Sequence, residues 1–559
     1  MSLRVLACLR LRATIVATII LALLCPLAPV EAQRARARGG ADVRASTARR
    51  TDLNNGALPP TDDFADLTLD ESALDAESWL DPQRSTALRN RALLIAQERR
   101  ARWPQFPAPR EEVADELGIR RVTVGRITLH TDLPKSRDTD QIPAALEAAI
   151  PALCEFFEVS PSRFASLKVD AFLMADVDRF IEYGALDGPP QFLYGYSYGD
   201  RIYAKDQKLG YYNRFLLTHE LTHTIMHELF GDLRPRWFSE GAAEFLALHA
   251  WNPQTKTMEI AKIPEAEELT PGFGRLRLIR ELVGEGDALT IRDILEFEPR
   301  DYTKVSTYAW SWALVMFLYS SPKYRDVVEL LPYWMTALDP NQLFIDAIGD
   351  RWGELEFDWA NFVTTLDYQY NFDASAVVRA TPREYTEEEL KRGVVFEIEP
   401  NKGWQSVGVT LEKGKKYRVA TAGRFLFYLP CAGKTLEFEA PGATCQYISG
   451  APAGRLLAAV AQDVEGLTFS DVYGTEASAL GATNRTFQFD AFRGQTSNVA
   501  RFGDVLDPLY PWNEPIQFRS SYVLIAPERD GELYLRVNGA SRDLEKNRGS
   551  IKIQVKLKD

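Results

Sequence analysis

The sequence predicts an α+β protein. Its first folded part combines a mixed sheet with a helix packed against it and continues into an all-helical half; an all-β sandwich follows. Three observations predict this. Strand-like alternation and amphipathic helical spacing intermingle as far as about residue 245, helical spacing alone continues to about residue 366, and short alternating strands take over from about Gly393. With 559 residues, 46% hydrophobic and 26% charged, the chain has the composition of a folded protein of two or three domains.

Residues 1–32 have the form of a signal peptide. Arg4, Arg10 and Arg12 precede an apolar run from Ala13 to Leu24, and Val30-Glu31-Ala32 is a small-residue cleavage pattern. The run is too short to favour a permanent membrane span. The expected location is secreted or otherwise extracytoplasmic. The formal net charge of −13 becomes −15 once residues 1–32 are removed. So acidic a chain argues against nucleic acid or an anionic membrane as general partners. Residues 33–118 are expected to hold an Arg/Ala/Gly-rich disordered stretch, an acidic linker with Pro59-Pro60, and a helix over about Ser85 to Trp103.

From residue 119 the pattern becomes that of a domain, expected to extend to 370. Val122 and Val124 alternate as in a strand, and Ile142, Leu146, Ile150 and Leu153 mark an amphipathic helix. Leu167, Val169, Ala171 and Leu173 give a second strand. The Gly/Tyr-rich run Tyr194 to Tyr203 fits either an exposed edge along which another chain pairs or an ordinary hairpin. A helix over Tyr212 to Leu229 follows. Further helices are expected at Leu276–Val283, Ile291–Phe297, Thr307–Tyr319, Tyr324–Thr336 and Trp352–Leu366.

The helix at 212–229 contains three of the chain's five histidines, in the run His219-Glu220-Leu221-Thr222-His223-Thr224-Ile225-Met226-His227. A spacing of four places His219 and His223 on one helical face, where both imidazoles can converge on one metal with Glu220 beside them. This is the H-E-x-x-H pattern of zinc hydrolases. Catalytic zinc usually takes three protein ligands. Glu240, separated from His223 by sixteen residues, in Trp237-Phe238-Ser239-Glu240-Gly241-Ala242-Ala243-Glu244, is the expected third. His227 lies roughly 12 Å along the helix from His219, too far to share that ion, and belongs either behind the ligands or at the surface.

At these residues the chain resembles the gluzincin zinc metallopeptidases, the peptidase MA-like group. The resemblance implies His219, His223 and Glu240 as Zn²⁺ ligands, Glu220 as general base and a zincin-like catalytic domain over 119–370. It also implies a tyrosine that stabilises the oxyanion. Tyr308, in Tyr308-Ala309-Trp310-Ser311, is the candidate, with Tyr302 as substitute and ordinary aromatic packing as the alternative for both. Glu244 either supports a ligand or is a solvated helix residue. The expected activity is hydrolysis of a protein or peptide substrate. No Gly-x-Met-Glu-Asn run precedes the helix, which favours an endopeptidase over an aminopeptidase. The alternative function is a weak or inactive peptidase-like protein acting as a module that binds glycan or cell surface.

After a linker at 371–392, residues 393–559 are expected to form the sandwich. Leu533, Leu535 and Val537, and Ile551, Ile553 and Val555, alternate with polar residues. Gly403-Trp404-Gln405-Ser406-Val407-Gly408 and Gly531 to Asn538 resemble bacterial PA-I-like galactophilic lectins, jelly-roll sandwiches that bind sugar through calcium. The resemblance implies a glycan partner and Ca²⁺. Asn538, Asp543, Glu545 and Asn547 would supply only some of the six to eight oxygens calcium takes. Of the cysteines outside the signal, Cys154 falls on an apolar helical face, while Cys431 and Cys445 are either a disulfide or free thiols.

Overall fold

The computed structural model describes residues 75–101, 107–187, 192–231, 233–381, 383–473, 516–527 and 530–558. The signal sequence, its cleavage site and most of the acidic linker lie outside the described residues. Among the described residues no helix is long and apolar enough to cross a membrane.

The fold is mixed α/β, with one mixed sheet and separate antiparallel sheets. The mixed sheet is built from β1 (Arg120–Val124), β2 (Ile127–Thr131), β3 (Val169–Met174), β4 (Gly195–Tyr198) and β5 (Arg201–Lys205), in the order β1-β2-β3-β5-β4. β2, β3 and β5 run parallel, whereas β1 and β4 are antiparallel to their neighbours. Alternation decides which face is which. Ile127, Leu129, Val169, Ala171, Leu173, Ile202 and Ala204 point into the main core, and Phe172, Met174 and Tyr203 point into a smaller cluster on the other side. β4 is an edge strand, so among the described residues one side of its backbone lacks a strand partner.

The main core holds α2 (Ile142–Phe156) and α3 (Gly210–Phe230), followed by α4 (Arg236–Leu246), α5 (Arg275–Glu285), α6 (Val305–Ser320) and α7 (Trp352–Thr365). α3 ends at Gly231, whose left-handed conformation (φ 67°) lets its N–H cap His227 O. α6 is apolar on all sides and is correspondingly enclosed, with Trp310, Trp312 and Leu314 buried. α4 and α6 approach so closely that a Cβ on Gly241 would stand 2.3 Å from Ser311 O. The stretch expected as one helix at Tyr324–Thr336 is instead broken into Arg325–Val328 and Leu331–Trp334. Pro332 lacks the N–H that a continuous helix would need at that position.

α1 (Pro82–Ala101) lies against the end of the motif helix. A Cβ on Gly231 would stand 2.8 Å from Ala96 O. Arg99, fully buried, donates to Met335 O and Thr336 O at 3.5 and 3.4 Å. Burial of an arginine with backbone partners marks α1 as an integral part of the core rather than a surface appendage.

The C-terminal part has two antiparallel sheets packed on one core. The first contains β6 (Val394–Ile398), β8 (Lys416–Ala422), β11 (Tyr522–Ile525) and β13 (Ile551–Lys558), ordered β11-β8-β13-β6. The second contains β7 (Gln405–Leu411), β9 (Leu456–Ala461), β10 (Ile516–Gln517) and β12 (Gly531–Val537), ordered β10-β9-β12-β7. Val419, Ile553 and Val555 of the first meet Val409, Leu456 and Leu535 of the second. The outer side of the second sheet packs on the helical part. Trp404, Leu457, Ala459 and Tyr534 surround Phe357 of α7, and the Tyr534 and Phe357 rings lie 5.5 Å apart.

Candidate metal centre

Helix geometry places the first two donors. His219 and His223, one turn apart on α3, direct both Nε2 atoms to the same point, 3.1 Å from each other. The loop after Gly231 turns the chain back so that α4 brings Glu240 to that point. Its Oε2 lies 3.3 Å from His223 Nε2 and 3.3 Å from His219 Nε2. Gly241 lets α4 lie against α6 and so fixes where Glu240 stands. All three side chains are buried.

The triangle is a test of whether a metal fits. Bonds of about 2.1 Å in a tetrahedral site put neighbouring donor atoms about 3.4 Å apart, close to the observed edges. The donor chemistry agrees. Three electron-pair donors meet in a buried space, and protons on two imidazoles cannot satisfy all three mutual contacts. One divalent cation can. Among the described residues this is the one group of His, Cys, Asp or Glu side chains whose donor atoms converge in this way.

Electrostatics prepare the ligands. Burial opposes the charge on Glu240, but the two imidazoles outweigh it and hold its carboxyl well below the usual range. Burial keeps His223 neutral by lowering its pKa. For His219, burial also disfavours the charged form, yet the bond to Glu240 and the charges of Glu220 and Glu244 raise its pKa to about 9. Metal uptake is therefore expected to displace a proton from His219. Apparent affinity should weaken as pH falls below about 9, which titration against a chromogenic chelator at several pH values would check.

The supporting residues come from several elements. Arg236, one turn before Glu240, lies with Nη1 3.6 Å from the carboxylate's other oxygen. Glu244 takes both Nε and Nη2 of Arg275, at 3.1 and 3.0 Å, and stands 3.8 Å from His219 Nδ1. It is thus buried behind a ligand, not solvated on the helix. Neither arginine belongs to the histidine–glutamate motif. Arg236 is signalled locally, being four residues from Glu240 on the same helix. Arg275 belongs to a distant helix and left no local signal. His227 is buried and stands apart from the converging donors.

Glu220, beside His219 on α3, extends towards β4. Gly195 and Ser197 face α3, and a Cβ on Gly195 would stand 2.5 Å from Glu220 Oε1. The glycine is what leaves room for the carboxylate. Burial, together with Glu240 and Glu244, pushes the Glu220 pKa up to about 8, with His219 and a hydrogen bond from Ser197 acting against the rise. Gly195→Ala is expected to displace the carboxylate while leaving metal content unchanged. Metal analysis beside a crystal structure of the variant would check both halves.

Tyr308 packs next to this group, its ring centroid 6.5 Å from that of His219. Tyr302 is close by, but its hydroxyl is held by Ser311 Oγ at 3.0 Å inside the core. Of the two tyrosines, Tyr308 is the one whose ring lies near His219 and whose hydroxyl is not held by Ser311. The Asn/Asp/Glu candidates in the C-terminal part do not form a comparable cluster. Asn538 Nδ2 donates to Ile448 O, Ala451 O and Pro452 O, and Asn547 joins Tyr428 N to Pro400 O. Asp543 pairs with Lys546, and Glu545 accepts from Asn371. These side chains tie loops together. Cys431 and Cys445 carry exposed free thiols, and Cys154 is buried.

Comparison with known protein families and with curated proteins gives no match.

Proposed function

We propose that the protein is a secreted zinc-dependent metallopeptidase of gluzincin type. The observation that carries this reading is the convergence of His219, His223 and Glu240 on one point beside a buried carboxylate, Glu220, lying against an edge strand. His219, His223 and Glu240 would hold the ion, and two imidazoles with one carboxylate are a donor set that would suit zinc. When bound, the ion would supply Lewis acidity, polarising a carbonyl and making water acidic near neutral pH.

The chain's own residues supply the rest. An extended peptide pairs with the free side of β4, adding a strand to the sheet, and this holds its scissile carbonyl near the ligands. Leu193 and Tyr194, exposed just before β4, extend that docking edge. Beside a bound cation Glu220 favours its carboxylate form. It takes a proton from the attacking water and returns it to the leaving amine, acting as base and then as acid. Arg236 and Arg275 orient Glu240 and Glu244 through these steps. Tyr308 donates its hydroxyl proton in a hydrogen bond to the developing oxyanion. No covalent intermediate is required.

Tyr308→Phe is expected to lower kcat by about 10²-fold with little change in KM. Tyr302→Phe, which removes only the bond to Ser311, should leave kcat near the native value and cost about 1 kcal/mol of stability. Equal kinetic effects of the two changes would remove Tyr308 from its role. The reading as a whole is tested by profiling a peptide library with the native protein and with Glu220→Gln. Cleavage of internal bonds by the native protein alone supports an endopeptidase, and cleavage by neither contradicts the peptidase reading.

A further inference from the structure

The two-sheet part has two outer faces with different fates. One packs on α7 through Trp404, Leu457 and Tyr534. The other is the outward side of β11-β8-β13-β6, and strand register fixes which residues it displays. Arg418 stands opposite Lys556, and Lys416 opposite Lys558, on adjacent strands. Lys552 lies further along β13, opposite Glu397, which is the one carboxylate among the residues these four strands turn outward. Like charges placed directly opposite one another destabilise a sheet, so two such pairs in consecutive rows do not serve the fold. Among the described residues none of these five cations makes an ion pair. Nearby acidic groups are engaged elsewhere: Glu387 takes Lys391 and Lys415, and Glu389 caps its own helix through Thr386. The concentration of positive charge occurs in a chain whose formal net charge is −13.

The same face exposes apolar side chains between the cations. Leu524 is 62% exposed and stands opposite Arg418; Val395 is 61% exposed and stands opposite Gln554. Tyr522, 45% exposed, lies under the Arg418 guanidinium, which sits 4.6 Å from its ring centroid. Cations interleaved with aliphatic side chains suit an interface offering phosphates at its surface and hydrocarbon just beneath. An anionic polysaccharide would engage the cations but offers nothing to Leu524 and Val395.

We propose that this face docks the protein onto an anionic phospholipid surface. Phosphates bind Lys416, Arg418, Lys556 and Lys558, while Leu524, Val395 and Tyr522 enter the boundary between headgroups and acyl chains. The general expectation from net charge, that an anionic membrane is not a partner, then holds for the whole surface but not for this sheet.

The test is co-sedimentation of the full chain with vesicles of phosphatidylcholine alone or mixed with phosphatidylglycerol, at low and high salt. Binding to the mixed vesicles alone is expected, weakening as salt rises. A fourfold variant, Lys416→Gln, Arg418→Gln, Lys556→Gln and Lys558→Gln, should bind about a thousandfold more weakly. Because it removes like-charge pairs, it should melt no lower than the native protein. Leu524→Ser should weaken binding while preserving its salt dependence. Unchanged binding by the fourfold variant, or no preference for the anionic vesicles, would overturn the proposal. So would tighter binding to polygalacturonate that is insensitive to Leu524→Ser, since that would make the face a glycan site.

Discussion

Glu220→Gln is expected to keep its metal and lose about 10³-fold in kcat, with KM little changed. The size follows from what a positioned general base contributes, typically between 10² and 10⁴. The amide has nearly the shape of the carboxylate, so the fit between α3 and Gly195 should survive, as should the contact with Ser197. What disappears is the capacity to accept a proton. Burial and neighbouring carboxylates push the Glu220 pKa up, and removing its charge relieves that local cost, so the variant should be no less stable than the native protein. Loss of metal together with activity would instead show that position 220 matters to the ligand cluster rather than to proton transfer.

His223→Ala is expected to abolish both metal binding and turnover. His223 Nε2 lies 3.1 and 3.3 Å from the other two donors, and without it the remaining pair is an incomplete site. A ligand bound to the folded state alone stabilises it in proportion to how far its concentration exceeds Kd. The native protein should therefore melt at a lower temperature once a chelator is added, and the variant should show no difference with or without chelator. Differential scanning calorimetry of both proteins would check this. A chelator-sensitive melting temperature in the variant would place the metal elsewhere.

Much of the site was legible because it is local. His219, Glu220 and His223 share one helix, and helical rotation alone decides that two imidazoles leave one side of it. Glu240 was legible through a turn of plausible length and a second helical pattern. What could not be read was whatever depended on packing between distant elements. Arg275 reaches Glu244 from α5, and Gly241 is required because Ser311 O passes within 2.3 Å of where its Cβ would be. The choice between Tyr308 and Tyr302 needed the Ser311 hydroxyl, which sequence spacing does not reveal.

The fold shows the same division. Alternation at Leu167–Leu173 and Ile551–Lys556 marks two strands, which the structure forms at Val169–Met174 and Ile551–Lys558. Apolar periodicity across Tyr324–Thr336 suggests one helix, whereas the missing backbone donor of Pro332 breaks it. The exposed lysines of the last strand were visible as alternation. Their meeting with Lys416 and Arg418 belongs to the register between β8 and β13, which the sequence does not specify.

The most direct measurement is metal content by inductively coupled plasma mass spectrometry on the purified native protein and on Glu240→Ala. About one zinc per native chain, and far less than one in the variant, is the result expected for a three-ligand site. Zinc held equally by both proteins would mean that Glu240 is not a ligand and would contradict the assignment from which the rest is derived.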